Sequence, residues 1–355
     1  MKRIVFIHFL NNFSGSPNVL SLIVREFIKR GYKVDLLTSR GDGFLSDIKS
    51  VNYKYTCYRW CKSKFLTAFL LLCSQLYVFF RILLYSKNNT IFYINTITPI
   101  GAAWACKLTG KARVYHVHED MQQDKPLYGL YRLTYKYCNI KTIFVSQYLE
   151  KLAIGTKQGK VIYNSLAKEF STAARQFLQM NSTRGNNILM VSSLRRFKGV
   201  YEFVELARRL PNYTFEIVLS ANEQDVETFK IETLSPNNII IHALQQNLHP
   251  FYQRAKLLLQ LSHPDSWIET FGLTILEAMA YGIPSIVPNV GGPVELVENG
   301  QNGFTVDTHN LDKIAELINL LMLDPILYET FSKVAIEKSR KFELNKMINI
   351  IEEYI

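Results

Sequence analysis

Short apolar runs and amphipathic helical stretches alternate along this chain, and partway through the alternation starts again. "RIVFIHFL" reads as a strand, "NVLSLIVREFIKRG" as a helix ending at Gly31, and "YKVDLLTS" as the next strand. "TIFYINT", "ARVYHVH" and "TIFVS" extend the series, with helical segments between them. The second series runs "NNILMVSSL" (strand), "VYEFVELARRL" (helix), then "YTFEIVLS", "NNIIIHA", "AKLLLQLS" and "PSIVPN" (strands). Strands spaced by helices in this way form parallel sheets covered by helices on both faces. Two such series in 355 residues predict an α/β chain of two Rossmann-like, doubly wound domains. The join is expected near Ser165–Asn187, where the chain turns polar and rich in glycine and asparagine. The expected domains are residues 1–170 and 171–340, followed by a terminal segment 341–355. Ligands of open sheets sit beyond the carboxyl ends of the strands, so a cleft between the sheets is the expected site.

The stretch "FLTAFLLLCSQLYVFFRILLY", Phe65–Tyr85, is about long enough to span a bilayer, which takes roughly 20 residues. It contains Ser74, Gln75 and Arg81, and charge at depth costs several kcal/mol. Three readings stay open. It is a crossover helix with a wide buried face, or a helix whose outer face (Phe69, Tyr77, Phe80, flanked by Lys62, Lys64 and Lys87) rests on a membrane surface, or a true span. Ile4–Leu10 contains His8 and reads as a buried strand rather than a signal peptide.

Charge is unevenly placed. Residues 1–165 carry 24 Lys+Arg and 8 Asp+Glu, a balance of +16; the rest carries −5, and the sum is the +11 of the whole chain. A basic surface suits nucleic acid or an anionic membrane. No helix-turn-helix, zinc-finger or RNA-recognition signature accompanies it, so no nucleic-acid partner is expected. The five cysteines have no metal-ligand spacing and read as free thiols of a cytoplasmic protein, with no zinc site.

The chemistry is concentrated in "ETFGLTILEAMAYGIPSIVPNVGGPVEL", Glu269–Leu296. Thr270 is the expected N-cap of a helix running through Tyr281 and ending at Gly282 and Pro284. A helix start at a strand's carboxyl end offers free N–H groups and a positive dipole end, which suit phosphate. Gly272 removes a side chain where a phosphate would approach. Glu269 falls in the preceding loop. Glu277 lies in the helix among Ile275, Leu276, Ala278 and Met279, where a carboxylate is costly unless it accepts hydrogen bonds. Vicinal ribose hydroxyls match its two oxygens. Equally, Glu277 caps a neighbouring loop or pairs with a lysine.

These residues resemble the GT4 family of retaining glycosyltransferases. The family pattern is E-x-F-G-x-x-x-x-E-A-x-A-x-G-x-P, then GG-x-x-E and G-x-N-G, all present in order from Glu269 to Gly303. The resemblance implies the GT-B fold, with two Rossmann-like domains facing a cleft, an N-terminal acceptor domain, a C-terminal nucleotide-sugar domain, and a final helix, "KFELNKMINIIEEYI", crossing back to the first. It implies that Glu277 binds the ribose, that Glu269 contacts the transferred sugar near its anomeric centre, and that backbone N–H groups of Phe271, Gly272 and Leu273 meet the diphosphate. The family's basic pair lies in G-R-L-x-x-x-K-G; here "VSSLRRFKGV" keeps Lys198 and Gly199 but has Ser193 in place of the arginine. Arg195 or Arg196 is expected to supply the second charge. Lys198 alone reads as a solvated loop lysine or as a point-charge phosphate binder.

In the first half, "FSGSPNVL" resembles the family's glycine loop, with Gly15 allowing close approach. "YHVHED" resembles the segment carrying a cleft histidine, with His118 the better match. The other reading has His116 and His118 pointing to opposite sides of a strand, neither touching ligand. Ser146 and Asn164 also fall at family positions and read as structural. The implied catalytic residues are thus Glu269, Lys198 and His118; the donor-binding residues are Glu277, Arg195, Phe271, Gly272, Leu273 and Gly15. No cofactor and no metal is expected, since the chain has no Asp-x-Asp motif. The expected donor is a UDP-sugar, then a GDP-sugar. The expected acceptor is a saccharide or lipid-linked saccharide at the cytoplasmic face of an anionic inner membrane, in surface-polysaccharide synthesis. A GT-B sugar-nucleotide epimerase and a non-catalytic nucleotide- or membrane-binding relative are the alternatives.

Overall fold

The computed structural model describes residues 2–121, 127–138, 141–153, 159–180 and 185–355. The chain divides into two compact units, Met1–Asn164 with Asn345–Ile355, and Ser165–Leu344. Each is a parallel sheet with helices on both sides, as the alternation of patterns predicts.

Among the described residues the first unit holds β1 (Arg3–Ile7), β2 (Lys33–Ser39), β3 (Val51–Thr56), β4 (Thr90–Asn95), β5 (Arg113–Val117), β6 (Lys141–Phe144) and β7 (Gly159–Val161), in the order β3-β2-β1-β4-β5-β6-β7. Central strands are mainly apolar because helices cover both faces; Ile4–Ile7 are fully buried. After β3 the chain returns to the other side of β1 as β4, paired in register from Arg3↔Thr90. The carboxyl ends of β1 and β4 therefore flank the point where strand order reverses. The second unit holds β8 (Asn187–Ser192), β9 (Thr214–Leu219), β10 (Ile239–His242), β11 (Ala255–Leu259), β12 (Ser285–Pro288) and β13 (Gly303–Val306), in the order β10-β9-β8-β11-β12-β13, with its reversal between β8 and β11.

The sequence reading misses β3, β7 and β13, all of them edge strands. "VNYKYT" is half exposed, and the other two are short, so none carries the continuous apolar run of a central strand. The polar stretch read as a join contains a helix, Lys168–Gln179, that belongs to the second unit; residues 181–184 lie outside the described residues. The last helix, Leu344–Tyr354, buries Met347, Ile348 and Ile351 and is tied to the first unit. Arg30 pairs with Glu352, and Lys141 Nζ donates to the Tyr354 carbonyl at 2.7 Å.

Of the three readings of the helix Lys64–Leu83, the one with a wide buried face does not hold. Its inward side is narrow and partly polar: Ser74, Gln75, Val78 and Ile82. The Gln75 amide donates to Thr98 O at 2.8 Å and accepts from Gly101 N at 2.9 Å. The apolar side faces outward, with Phe65 82%, Phe69 53% and Phe80 61% exposed. By length and composition this helix could cross a membrane, and it is mostly unburied within the protein.

Candidate active site

The loops after β8 and β11, at the reversal point of the second sheet, carry Lys198 and Glu269. Lys198 ends a 3-10 turn, Arg196–Lys198, that leads into the helix Val200–Arg209. The turn is fixed to the other loop by His263 N donating to Phe197 O at 2.8 Å, and by Phe197 stacking on Trp267 at 5.6 Å. Lys198 Nζ then meets Glu269 Oε2 at 2.7 Å and lies 5.4 Å from the centre of the Trp267 ring. Both charged side chains are partly exposed, at 17% and 23%, so they can reach a ligand. This places Lys198 in an ion pair instead of in free solution.

A glycine pair holds Glu269 in place. Gly291 has φ 84°, and a Cβ there would stand 2.4 Å from the Glu269 carbonyl oxygen. Gly292 donates its N–H to that oxygen at 2.9 Å, and a Cβ on it would stand 2.3 Å from Thr270 O. The two loops touch backbone to backbone, which only glycine permits.

The helix after Glu269 is shorter than the sequence predicts. It spans Leu273–Ala280, with Gly272 (φ 101°) as its cap residue, so Thr270 is not the N-cap. A left-handed turn at Gly272 reorients the chain and makes Leu273 the first helical residue. Its first turn leaves N–H groups without intrahelical acceptors, and Phe271 is buried ahead of it. Arg195 is exposed just before the 3-10 turn, whereas Arg196 lies 4.9 Å from the centre of the Tyr201 ring. Of the two, Arg195 is the one not drawn onto that ring.

Glu277 is 9% exposed, and the Tyr252 hydroxyl donates to its Oε2 at 2.5 Å. Burial pushes its carboxyl up to about 7, and the Tyr252 hydrogen bond opposes that shift. Neither a lysine nor a loop backbone is its partner in this bond; a tyrosine is. Tyr252 is stacked on Tyr281 at 5.7 Å, and Tyr281 OH bonds His249 Nδ1 at 2.5 Å. Phe170, from the helix that the sequence reading took as a join, stacks on His249 at 4.6 Å. Sequence reasoning missed Tyr252, Trp267 and Phe170; Tyr252 and Phe170 come from distant segments, and Trp267, two residues before Glu269, shows its contact with Lys198 only in the fold.

In the first unit, Gly15 opens the helix Gly15–Lys29, after a turn in which Asn12 Oδ1 accepts from Ser14 N at 3.1 Å. His118 lies just past β5, buried, with Nε2 3.0 Å from Asn95 Oδ1 at the end of β4. His116 and His118 do not point to opposite sides: their rings are 4.2 Å apart, as residues two apart on a strand share a face. Burial, with His116 and His8 nearby, holds His118 well below the ordinary histidine value. His8, past β1, and His116 are likewise lowered by burial, to about 4 and about 3. The Glu119 carboxyl is raised by burial to about 7, opposed by a hydrogen bond from Ile97 N. The carboxyl edge of this sheet thus presents neutral imidazoles. The second sheet presents a cation, two carboxyl groups and a helix start. Among the described residues no cluster of His, Cys, Asp and Glu is placed to hold a metal.

The poly(glycerol-phosphate) alpha-glucosyltransferase of Bacillus subtilis (strain 168) is 27% identical over 181 residues, covering 46% of this chain and 26% of that protein. Sucrose synthase of Melioribacter roseus is 39% identical over 74 residues, covering 20% of this chain and 9% of that enzyme. The chain therefore spans about a quarter or less of the length of these curated relatives. Among solved structures, Anabaena HepE in complex with UDP and glucose superposes with a TM-score of 0.79 at 20% identity, covering 99% of both chains. Sucrose-phosphate synthase from Thermosynechococcus elongatus gives 0.78 at 17% identity, covering 99% of this chain and 98% of that one. These structural likenesses are of fold, that of the GT-B glycosyltransferases. The family model for glycosyl transferases group 1 matches residues 158–338, half of the chain, including Lys198, Glu269 and Glu277, and on that match the chain belongs to the group 1 glycosyl transferases.

Proposed function

We propose that this chain transfers a sugar from a nucleoside diphosphate sugar to a saccharide acceptor, with retention at the anomeric carbon and without a metal ion. The observation that carries the reading is the Lys198–Glu269 pair at 2.7 Å, set at the reversal point of the second sheet just ahead of the helix Leu273–Ala280. Fixed positive groups beside a helix start suit the charge that develops on a departing diphosphate. Lys198 and Arg195 supply the cations; N–H groups of Phe271, Gly272 and Leu273 supply donors. Glu269 positions the transferred sugar, and Glu277, its one oxygen held by Tyr252, accepts ribose hydroxyls with the other. His118 and Gly15 serve the same reaction from the acceptor domain. A UDP-sugar is the first choice of donor, a GDP-sugar the second; the crystallisation of HepE with UDP-glucose supports the former.

The acceptor is proposed to be a lipid-linked saccharide in surface-polysaccharide synthesis, handled at the cytoplasmic face of an anionic inner membrane. Support comes from the outward apolar side of Lys64–Leu83 and the balance of +16 in residues 1–165. The test is a thermal-shift panel with UDP, GDP, ADP and CMP, each without metal. A rise with UDP or GDP is the expected result. A flat response to all four, repeated with acceptor-containing vesicles, would overturn the reading.

A further inference from the structure

Trp267 lies two residues before Glu269, half-buried, and the reaction proposed above gives it no part. Its ring centre is nonetheless 5.4 Å from Lys198 Nζ, within the roughly 6 Å over which an aromatic face attracts a cation. The same ring stacks on Phe197, the residue before Lys198, at 5.6 Å and 26°. One side chain thus meets two successive residues of the turn that carries the cation.

The ring and the ammonium ride on one piece of structure. The His263 carbonyl accepts from Ser266 N at 3.1 Å and from Trp267 N at 2.9 Å, which closes residues 263–267 into a turn. The loop after β11 is joined to the Lys198 turn at three points. His263 N donates to Phe197 O at 2.8 Å. Gly199, at φ 77°, lets Leu261 O approach to within 2.2 Å of where a Cβ would stand. His263 Nε2 stands 3.2 Å from Glu202 Oε2, in the first turn of the helix that follows Lys198. The face of Trp267 is therefore set relative to Lys198 by backbone contacts and does not depend on the lysine side chain.

The Lys198–Glu269 bond creates a problem that such a face solves. The ammonium is neutralised by Glu269 Oε2 at 2.7 Å. On the transferase reading, a departing diphosphate needs that positive charge and a sugar needs the carboxylate, so the bond gives way during transfer. A lysine released from its carboxylate spreads over the rotamers of a flexible four-carbon stem, whereas a leaving group is served by a charge already in place. An aromatic face attracts a cation through its quadrupole and engages none of the N–H donors in a hydrogen bond, which leaves them for phosphate oxygens. A carbonyl or a second carboxylate in that place would compete for them. Resting on the transferase reading above, we propose that Trp267 is a positioning residue, its indole face seating the Lys198 ammonium against the diphosphate when Glu269 turns to the sugar.

A double-mutant cycle on the full chain tests this, read by calorimetry as affinity for UDP, or for GDP if that is the nucleotide bound, without metal. Trp267→Leu should weaken the diphosphate about tenfold, the worth of a partly desolvated cation–π contact. Trp267→Phe keeps an aromatic face and should stay within about threefold of the parent, which separates the loss of the face from a defect in folding. In a Lys198→Ala background, Trp267→Leu should change affinity by less than about twofold, because the cation it seats is gone. Equal weakening in both backgrounds would make Trp267 a packing residue and overturn the proposal. So would full affinity in Trp267→Leu, or equal losses in the Leu and Phe variants. Any of these with nucleotide still bound by the parent leaves the transferase reading standing; if neither nucleotide binds the parent, that reading falls and the proposal with it.

Discussion

Tyr252 donates its hydroxyl hydrogen to Glu277 Oε2 at 2.5 Å, and both side chains are buried. That bond opposes the rise that burial gives the carboxyl, and it leaves the second oxygen for a ligand.

Stability should report this carboxyl. Glu277 titrates near 4.5 in an unfolded chain and at about 7 in the folded one, so the folded state keeps a proton that the unfolded state releases. Its contribution is full below the unfolded value and is lost as pH rises through the folded one. Glu277→Gln holds the neutral form, so its Tm should gain on the parent between about pH 5 and about pH 8, by the equivalent of about 3 kcal/mol at most. Parallel Tm profiles would sink the assignment. The same variant should weaken the nucleotide about 10- to 100-fold, the worth of hydrogen bonds to a charged acceptor.

Lys198→Ala should act on transfer far more than on stability. Its pair with Glu269 is partly exposed and worth at most about 1 kcal/mol to folding. Loss of a fixed charge at a leaving group typically slows the reaction about 100- to 1,000-fold. Single-turnover rates with the preferred donor would decide it, and a rate within about threefold of the parent would remove Lys198 from the mechanism.

Gly292→Ala tests the seat of Glu269. The added Cβ would meet Thr270 O at 2.3 Å and Phe271 Cα at 2.5 Å, so the loop must shift. A loss of about 1–3 kcal/mol is expected from overpacking, together with loss of transfer. Gly300→Ala is the control: its φ is 77°, but nothing lies within 4 Å of the new Cβ. It should cost about 1–2 kcal/mol of backbone strain and leave transfer intact. Equal activity in the two variants would show that the glycine pair does not place Glu269.

The outward face of Lys64–Leu83 should bind anionic vesicles at low salt and release them at high salt. Phe69→Asp with Phe80→Asp should abolish pelleting without lowering Tm, because the two rings are 53% and 61% exposed. Unchanged pelleting in that variant, or none in the parent, would remove the membrane from this protein's partners.

Much of the candidate site is legible in sequence because it is local. Glu269, Gly272, Glu277 and the glycine pair fall within one loop-helix-loop segment, and their spacing is visible in the text of the chain. What sequence could not show are partners from elsewhere. Tyr252 reaches Glu277 from the helix before β11, and Asn95 reaches His118 from a neighbouring strand. The N-cap reading of Thr270 fails because threonine's capping preference is general, whereas the chain turns at Gly272 through a left-handed conformation that glycine alone adopts readily.

By itself the sequence determined the alternation of strands and helices, hence two parallel sheets, and the loops on which the charged residues stand. The period of apolar residues and the placing of glycine and proline are short-range information, and they suffice for that. Tertiary structure decided which groups meet. The pairing of β8 with β11 brings the Lys198 and Glu269 loops together, and burial raises Glu277. It also decided that Lys64–Leu83 turns its phenylalanines outward. The Gln75 amide finds its donor and acceptor only on Thr98 and Gly101, and a buried amide must have both.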